Sequence, residues 1–245
     1  MSSPNSHADG SHALRVKLFA DGADLGTMLR LYANPAIRGF TTNPTLMRKA
    51  GITEYEPFAL NVLREIPDRP ISFEVFADEV TEMERQARRI ASWGPNVYVK
   101  LPITNTQGQS ILPLAQKLSV DGIQVNVTAI LTSQQIQQAV EHLAGGAPAY
   151  ISIFAGRIAD TGVDPVPVMQ RAVELTRPHG NLELIWASPR QVLNVIEADR
   201  IGCHIITATS DVLSKLPLLG KDLTVYSLET VAMFYGDGQA AGFSL

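Results

Sequence analysis

Residues 71–101 have the sequence ISFEVFADEVTEMERQARRIASWGPNVYVKL, and this stretch decides the fold. Two short apolar runs, Ile71–Phe76 and Val97–Leu101, flank a segment that extends from Asp78 to Trp93. Apolar residues recur through that segment at the spacing of one helix face: Val80, Met83, Ala87 and Ile90. The two runs are continuous rather than alternating in hydrophobicity, which is typical of parallel strands covered on both faces. The stretch therefore predicts a strand–helix–strand unit.

The same unit recurs along the chain. Eight short apolar runs are each followed by a polar turn and a helical pattern: Val16–Phe19, Gly39–Thr42, Ile71–Phe76, Val97–Leu101, Ile123–Val127, Ala149–Phe154, Leu182–Ala187 and Cys203–Thr207. Eight such units without a linker predict a single (β/α)8 barrel, and 245 residues match the usual size of that fold. The alternative is an open doubly wound sheet, which is less favoured because no Gly-rich nucleotide loop follows the first run.

Two segments lie outside the eight units. The first thirteen residues, MSSPNSHADGSHA, are small and polar, and we predict a disordered tail there, followed by one barrel domain over residues 14–245. Leu228–Phe234 begins a further helix after the eighth unit. This helix either packs on a neighbouring subunit of a homo-oligomer or closes the bottom of the barrel.

The composition excludes several classes of function. The net charge is -4 and no Lys/Arg-rich run occurs, so a nucleic-acid partner is not expected. No run of about 18 apolar residues occurs, so no membrane span is expected. The lone cysteine, Cys203, cannot form an intrachain disulfide, and no Cys/His cluster has the spacing of metal ligands. We therefore expect a cytoplasmic protein without a metal or a cofactor.

Chemistry in (β/α)8 barrels occurs at the carboxyl ends of the strands. Polar or charged residues stand at or just after most of the predicted strand ends: Asp21, Thr42, Asn43, Glu74, Lys100, Asn126, Thr128, Ser152, Arg157, Ser188 and Arg190. A packed core does not require so many polar groups, and the set therefore predicts a functional site.

Lys100 carries the most specific indication of chemistry. A lysine is rarely buried without a partner or a task. Loss of solvent favours the neutral amine, which is the form that attacks a carbonyl carbon. The alternatives are a structural salt bridge to Asp21 or Glu74, or a side chain that extends from the strand end to solvent.

The other charged candidates also leave two interpretations open. Glu74 is either paired structurally or placed for general acid–base catalysis. Asp21 stands in an Asp-Gly pair, which also forms turns, and Asn43 precedes a proline, which also starts helices. Arg157 and Arg190 either clamp a phosphate group or lie solvated at the rim of the barrel.

Six motifs resemble the transaldolase family in order and spacing, from about Val16 to Leu216. They are GFTTNPT at Gly39–Thr45, ISFEV at Ile71–Val75, VYVKLP at Val97–Pro102, NVTAI at Asn126–Ile130, SIFAGRI at Ser152–Ile158 and ASPR at Ala187–Arg190. The short length resembles the subgroup that includes fructose 6-phosphate aldolase.

The resemblance implies a Schiff-base mechanism that acts on small sugar phosphates without a metal. Lys100 would form an imine with the donor ketose, and Asp21 would take the proton of the C4 hydroxyl when the C3–C4 bond breaks. Glu74 and Thr128 would hold a water that shuttles protons. The remaining residues would bind or line the substrate: Thr42, Asn43, Asn126, Ser152 and Phe154 around the dihydroxyacetone unit, and Arg157, Ser188 and Arg190 at the phosphate. Pro189 departs from the pattern, since many relatives have an aromatic residue there, and this affects the placement of Arg190.

Two positions separate the close relatives within this family. Transaldolases have a glutamate and a phenylalanine where fructose 6-phosphate aldolase has a glutamine and a tyrosine, and this chain has Glu74 and Phe154. A carboxylate can exchange a proton and an amide cannot, and a tyrosine hydroxyl could protonate a carbanion. The resemblance therefore implies transfer of the three-carbon unit rather than its release.

The resemblance leaves the acceptor sugar open. In the pentose phosphate pathway, sedoheptulose 7-phosphate and glyceraldehyde 3-phosphate would give erythrose 4-phosphate and fructose 6-phosphate. Some short relatives resemble specialised enzymes that build longer sugars, such as the octulose 8-phosphate of lincosamide antibiotic biosynthesis. The further alternatives are a fructose 6-phosphate aldolase and an inactive barrel that only binds sugar phosphates.

Overall fold

A computed structural model describes residues 14–244 of the chain. The disordered tail that the sequence predicts for residues 1–13 lies outside the described residues. Two compact units are present, a large one over Leu14–Leu213 and a small one that starts at Ser214.

The large unit is a closed barrel of eight parallel strands in sequence order, in which the last strand pairs with the first. The strands are β1 (Lys17–Asp21), β2 (Ile37–Thr41), β3 (Ile71–Glu74), β4 (Val97–Pro102), β5 (Val125–Ile130), β6 (Ala149–Ile153), β7 (Leu182–Ala187) and β8 (Ile205–Ala208). The predicted (β/α)8 barrel is confirmed, and the open doubly wound sheet is excluded. The predicted bounds of β7 are correct, and those of the other strands differ by up to three residues.

Helices follow the strands around the barrel. They are α1 (Leu25–Tyr32), α2 (Pro44–Lys49), α3 (Tyr55–Glu65), α4 (Val80–Ala91), α5 (Leu112–Val120), α6 (Ser133–Leu143), α7 (Ala155–Asp160), α8 (Val166–Thr176), α9 (Leu193–Ile201) and α10 (Ser210–Leu213). Side-chain caps set several of their starts. Asn43 accepts a hydrogen bond from the backbone N–H of Leu46, and Pro44 occupies the first turn of α2. The helix-start interpretation of Asn43 is therefore confirmed.

Aromatic side chains fill the interior of the barrel. A buried cluster there contains Phe19, Tyr98, Tyr150, Ile185, Ala187 and Ile205. The rings of Tyr98 and Tyr150 are stacked with their centroids 3.9 Å apart, and Phe19 meets Tyr150 edge-on at 5.9 Å. A Cβ atom at Gly39 would lie 2.5 Å from the Phe19 ring, so only glycine leaves room for that ring. This packed cluster restricts open space to the ends of the barrel.

The small unit contains a 3₁₀ turn (Leu216–Leu218) and the helix α11 (Leu223–Ala240). The helix starts five residues earlier than the sequence predicts, because the Asp222 side chain accepts a hydrogen bond from the N–H of Val225. No residue of α11 is buried, and its exposed large apolar side chains are Leu223, Val225, Tyr226, Leu228, Val231, Met233, Phe234 and Tyr235. Within residues 14–244, no helix combines the length and apolarity needed to cross a membrane. The two alternatives for the role of α11 stay predictions.

Candidate active site

Polar side chains surround a cavity of about 90 Å³ at the carboxyl ends of the strands. The cavity brings together eight of the predicted site residues: Asp21, Asn43, Lys100, Thr128, Ser152, Phe154, Arg157 and Ser188. It adds three that were not among the predicted site residues: Thr41, Ala187 and Thr207. Thr42, Glu74 and Asn126 contact members of this set, whereas Arg190 does not line the cavity.

Lys100 reaches the cavity from β4 and is 5% exposed. Its Nζ atom lies 3.0 Å from Oε2 of Glu74, which stands opposite it on β3. The same amine donates a hydrogen bond of 3.0 Å to the backbone carbonyl of Thr42. The salt bridge that was the structural alternative for Lys100 is therefore present, formed with Glu74. The amine nevertheless lines the cavity, where a small molecule could reach it.

Asp21 ends β1 and is in register with Thr41 of β2. The Thr41 hydroxyl donates a hydrogen bond of 2.7 Å to Oδ1 of Asp21. Burial raises the pKa of the Asp21 carboxyl above its ordinary value, and the neighbouring negative charge of Glu74 adds to this effect. The positive charge of Lys100 and the hydrogen bond from Thr41 act in the opposite direction but do not cancel it. Asp21 is therefore a stronger base than a solvated aspartate.

A second hydroxyl, that of Thr207, contacts the hydroxyl of Thr41. Thr207 of β8 is 5% exposed, and its Oγ1 lies 2.6 Å from Oγ1 of Thr41. Threonine is common in buried strands, so residue type alone did not distinguish Thr41 and Thr207 from packing residues. Their positions at the carboxyl ends of β2 and β8 were the available signal.

Asn126 of β5 is fully buried, and its side-chain amide is held from two sides. Its Nδ2 donates to Oγ of Ser72 at 2.9 Å, and its Oδ1 accepts from Oγ of Ser152 at 2.7 Å. Ser72 was not predicted as a site residue. Its position two residues before Glu74, on the same face of β3, was the signal that could have identified it.

Thr128 also reaches the cavity from β5. The strand has a register shift between Val127 and Ile130, and Ala129 has a φ of 62°. Thr128 is 1% exposed, and its buried hydroxyl makes no hydrogen bond within residues 14–244. Buried hydroxyl groups are almost always hydrogen-bonded, so this group is suited to contact a bound molecule.

The opposite wall of the cavity comes from the start of α7, which follows β6 directly, and from the loop after β7. The Arg157 guanidinium lies over the Phe154 ring, 5.2 Å from its centroid. A Cβ atom at Gly156 would lie 1.6 Å from the carbonyl oxygen of Ser188, so α7 contacts the loop after β7 through the backbone of a glycine. Ser188 has a φ of 61°, which is a strained conformation for a serine.

Arg190 does not line the cavity, although its Nε would lie 3.5 Å from a Cβ atom at Gly156. Its Nε donates to Oδ1 of Asp160 at 2.9 Å, and its Nη2 pairs with the other carboxylate oxygen. The Arg190 guanidinium holds the pKa of Asp160 below its ordinary value. The arginine that follows the unusual Pro189 is therefore paired with a carboxylate rather than directed into the cavity.

A closed parallel barrel with titratable side chains gathered at the carboxyl ends of its strands has the organisation of a barrel enzyme. The family model described as Transaldolase/Fructose-6-phosphate aldolase matches residues 18–241. The chain belongs to that family.

Individual relatives agree with this assignment. The chain is 33% identical over 202 residues to "Probable transaldolase" of Dehalococcoides mccartyi, covering 82% of this chain and 90% of that protein. It is 34% identical over 215 residues to "Probable transaldolase 2" of Listeria monocytogenes, covering 85% and 93%. The barrel is also similar to that of KGPDC from Streptococcus mutans, with a TM-score of 0.53, 14% identity and coverage of 79% and 88%. This last likeness concerns the fold alone.

Proposed function

We propose that the protein is a transaldolase that transfers a dihydroxyacetone unit from a ketose phosphate to an aldose phosphate through an imine on Lys100. The observation that carries the proposal is the buried amine of Lys100 at the cavity, 3.0 Å from Glu74 and beside the carboxyl of Asp21. The donor would be fructose 6-phosphate or sedoheptulose 7-phosphate.

Formation of the imine requires Lys100 to lose a proton and the substrate oxygen to gain one. Glu74 is within hydrogen-bond distance of the amine and is suited to accept that proton. The neutral amine then attacks the C2 carbonyl carbon. One proton moves from the nitrogen to the C2 oxygen, Glu74 returns its proton to the same oxygen, and this oxygen leaves as water. The nitrogen keeps one proton, so the imine is protonated, and the Thr128 hydroxyl can hold the departing water in the cavity. The imine that results is an electron sink.

Cleavage requires a base at the C4 hydroxyl. Asp21 takes the proton of this hydroxyl, the C3–C4 bond breaks, and the aldose phosphate leaves with a new carbonyl group. The electron pair of the broken bond remains on the imine carbons as an enamine. The enamine then attacks the aldehyde carbon of the acceptor, and Asp21 returns its proton to the new C4 oxygen. Water finally hydrolyses the imine, which releases the new ketose phosphate and restores the amine of Lys100. No step requires a metal ion or an organic cofactor, and we expect none.

The remaining residues bind the substrate. Asn43, Asn126 and Ser152 offer amide and hydroxyl groups to the dihydroxyacetone unit, and the Thr42 carbonyl orients Lys100. Arg157 and Ser188 are suited to hold the phosphate at the far wall. Arg190 can contact the phosphate only after its hydrogen bonds to Asp160 break.

Transfer is favoured over free cleavage at two positions. Phe154 lines the cavity but has no hydroxyl that could protonate the enamine carbon. The Glu74 carboxylate pairs with Lys100 and can exchange a proton with it. The amide of a glutamine at this position could not exchange a proton. The enamine therefore persists until an aldose phosphate enters.

We also propose that the protein is a cytoplasmic homo-oligomer in which α11 contacts another subunit. The support is the apolar surface of α11, of which no residue is buried within the described chain. Exposed apolar helices of this size mark contact surfaces in many proteins. Sedimentation of the full chain as a monomer would contradict the oligomer.

The experiment that tests the mechanism is reduction with borohydride in the presence of fructose 6-phosphate. Mass spectrometry of the digested protein is expected to find the reduced dihydroxyacetone adduct on Lys100. Lys100→Met is expected to abolish both the adduct and the transfer activity. The matched control is Lys117→Arg, which changes an exposed lysine of α5 that pairs with Glu84. An adduct on another lysine refutes the assignment, and the complete absence of an adduct favours the inactive barrel.

A further inference from the structure

Thr207 and Thr41 occupy the two strands that flank β1. Thr41 is in register with Asp21, and Thr207 is in register with Phe19 on the other side of β1. Both threonine side chains lie inside the barrel, where their Oγ1 atoms are 2.6 Å apart. The second contact of the Thr41 hydroxyl is Oδ1 of Asp21, at 2.7 Å. The three side chains therefore form a short chain of hydrogen bonds that ends at the carboxyl.

The direction of these hydrogen bonds follows from the number of protons. A hydroxyl has one proton to donate and two lone pairs to accept with. When Asp21 is a carboxylate it only accepts, so Thr41 donates to it, and Thr207 must donate to Thr41. When Asp21 carries a proton the order can reverse, because Asp21 then donates to Thr41 and Thr41 donates to Thr207. Two hydroxyl rotations therefore keep both hydrogen bonds of this chain in either state without movement of the carboxyl.

We propose that Thr207 is a positioning residue for proton transfer at Asp21, and that it acts through the hydroxyl of Thr41. The proposal rests on the proposed function, in which Asp21 takes a proton in the cleavage half of each turnover and returns it in the transfer half. A residue that both accepts and returns a proton works best when its carboxyl has the same position in the protonated and the ionised state. Thr207 donates to Thr41 in one state and accepts from it in the other.

The charged groups that face Asp21 cannot hold its carboxyl in the same position in both protonation states. Lys100 and Glu74 act on the Asp21 carboxyl through their charges, and no hydrogen bond joins either of them to Asp21 in the described structure. Lys100 is converted to an imine during the reaction, so its influence changes from step to step. The Thr207–Thr41 pair contains no charge and forms no covalent bond, so it remains constant throughout.

The test is the pH dependence of kcat/KM for transfer in the Thr207→Val variant, which keeps the shape of the side chain and removes the hydroxyl. Without its donor, Thr41 is less firmly directed at the carboxylate, and the pKa of Asp21 rises further. The carboxylate is the active base, so the acidic limb of the profile is expected to move to higher pH, by about half a pH unit. Thr41→Val removes the direct hydrogen bond and should move the limb by about one to two units.

Three controls keep the result interpretable. Thr207→Ser retains the hydroxyl and should restore the wild-type profile. The double variant with valine at 41 and 207 should show the shift of Thr41→Val alone, because Thr207 acts through Thr41. Thr176→Val removes another buried hydroxyl, which bonds to backbone carbonyls within α8, and should leave the profile unchanged.

The outcomes separate this inference from the proposed function. If borohydride traps the adduct on Lys100 in Thr207→Val but the acidic limb stays in place, the role of Thr207 is refuted. Additive shifts in the double variant refute it as well. If Thr207→Val does not fold, the same comparison is made with Thr207→Ala, for which the same shift is expected and an unchanged limb is again a refutation. Failure of wild-type protein to form the adduct refutes the proposed function instead.

Discussion

Arg157 and Arg190, the two arginines that we propose for phosphate binding, are expected to contribute unequally to substrate binding. Arg157 lines the cavity, and Arg157→Ala would remove the charge-assisted contact that we propose with the phosphate. Such a contact contributes about 1.5–3 kcal/mol, so KM for fructose 6-phosphate should rise by about ten- to a hundredfold. Substrates without a phosphate, such as fructose, should lose far less.

Arg190→Ala is expected to have a smaller effect because Arg190 must first leave Asp160. Both partners of this pair are about half exposed, with side-chain exposures of 48% and 50%. Ion pairs exposed to this extent are weak, and breaking one changes an equilibrium by a factor of about one and a half to five. The rise in KM for Arg190→Ala should therefore be smaller than that for Arg157→Ala by about this factor.

The role of Asp160 gives the sharper test, since the expected change has the opposite sign. Asp160→Asn frees Arg190 and should lower KM for fructose 6-phosphate by up to about fivefold. In the Arg190→Ala background the same substitution should have a much smaller effect. Arg171→Ala, which alters an exposed arginine of α8 paired with Glu174, is the matched control.

Steady-state kinetics with phosphorylated and unphosphorylated donors distinguish the possibilities. Equal losses for both donors in Arg157→Ala would mean that Arg157 has a structural role, and the phosphate assignment would be wrong. A larger effect for Arg190→Ala than for Arg157→Ala would mean that the bound arrangement differs from the one described. A higher KM in Asp160→Asn would refute the competition between Asp160 and the phosphate.

Two further predictions concern the same wall of the cavity. Phe154→Tyr is expected to place a hydroxyl beside the enamine and to raise the release of free dihydroxyacetone from fructose 6-phosphate. A positioned general acid contributes about a hundredfold or more to the rate. If the wild-type enzyme releases dihydroxyacetone as fast as it transfers it, the chain is an aldolase. Gly156→Ala forces the α7 backbone away from Ser188 and should cost about 1–3 kcal/mol, which lowers Tm by about 2–12 °C. Gly180→Ala, where a Cβ meets nothing within 4 Å, is its control in calorimetry, and equal Tm values for the two variants would contradict the close contact.

The barrel could be predicted from the sequence because its strands are continuous apolar runs. A continuous apolar run such as Leu182–Ala187 is typical of a strand that is covered on both faces. The predicted bounds of this strand were correct. Lys100 and Glu74 could be predicted for the complementary reason. A charged residue in such a run requires a partner or a task, and these two residues meet in register across β3 and β4.

The rest of the site depends on contacts that no local pattern carries. Thr41 and Thr207 are 166 residues apart in the chain and meet only because the barrel closes. The pairing of Arg190 with Asp160 depends on side-chain conformations in the loop after β7 and at the end of α7. The positive φ angles of Ala129 and Ser188 occur at residues that rarely adopt them, and the surrounding packing imposes them.

The aromatic packing of Phe19, Tyr98 and Tyr150 inside the barrel has a consequence for the order of events in turnover. These rings are 1%, 9% and 4% exposed, so they seal the barrel beneath the cavity. A sugar that enters at the carboxyl ends of the strands must leave by the same opening. In the proposed reaction, the first aldose product and the acceptor would therefore pass through one opening in succession, and the acceptor would enter only after the product has left. We therefore expect ping-pong kinetics for the proposed reaction, in which the two aldose phosphates compete for the enzyme that carries the dihydroxyacetone unit.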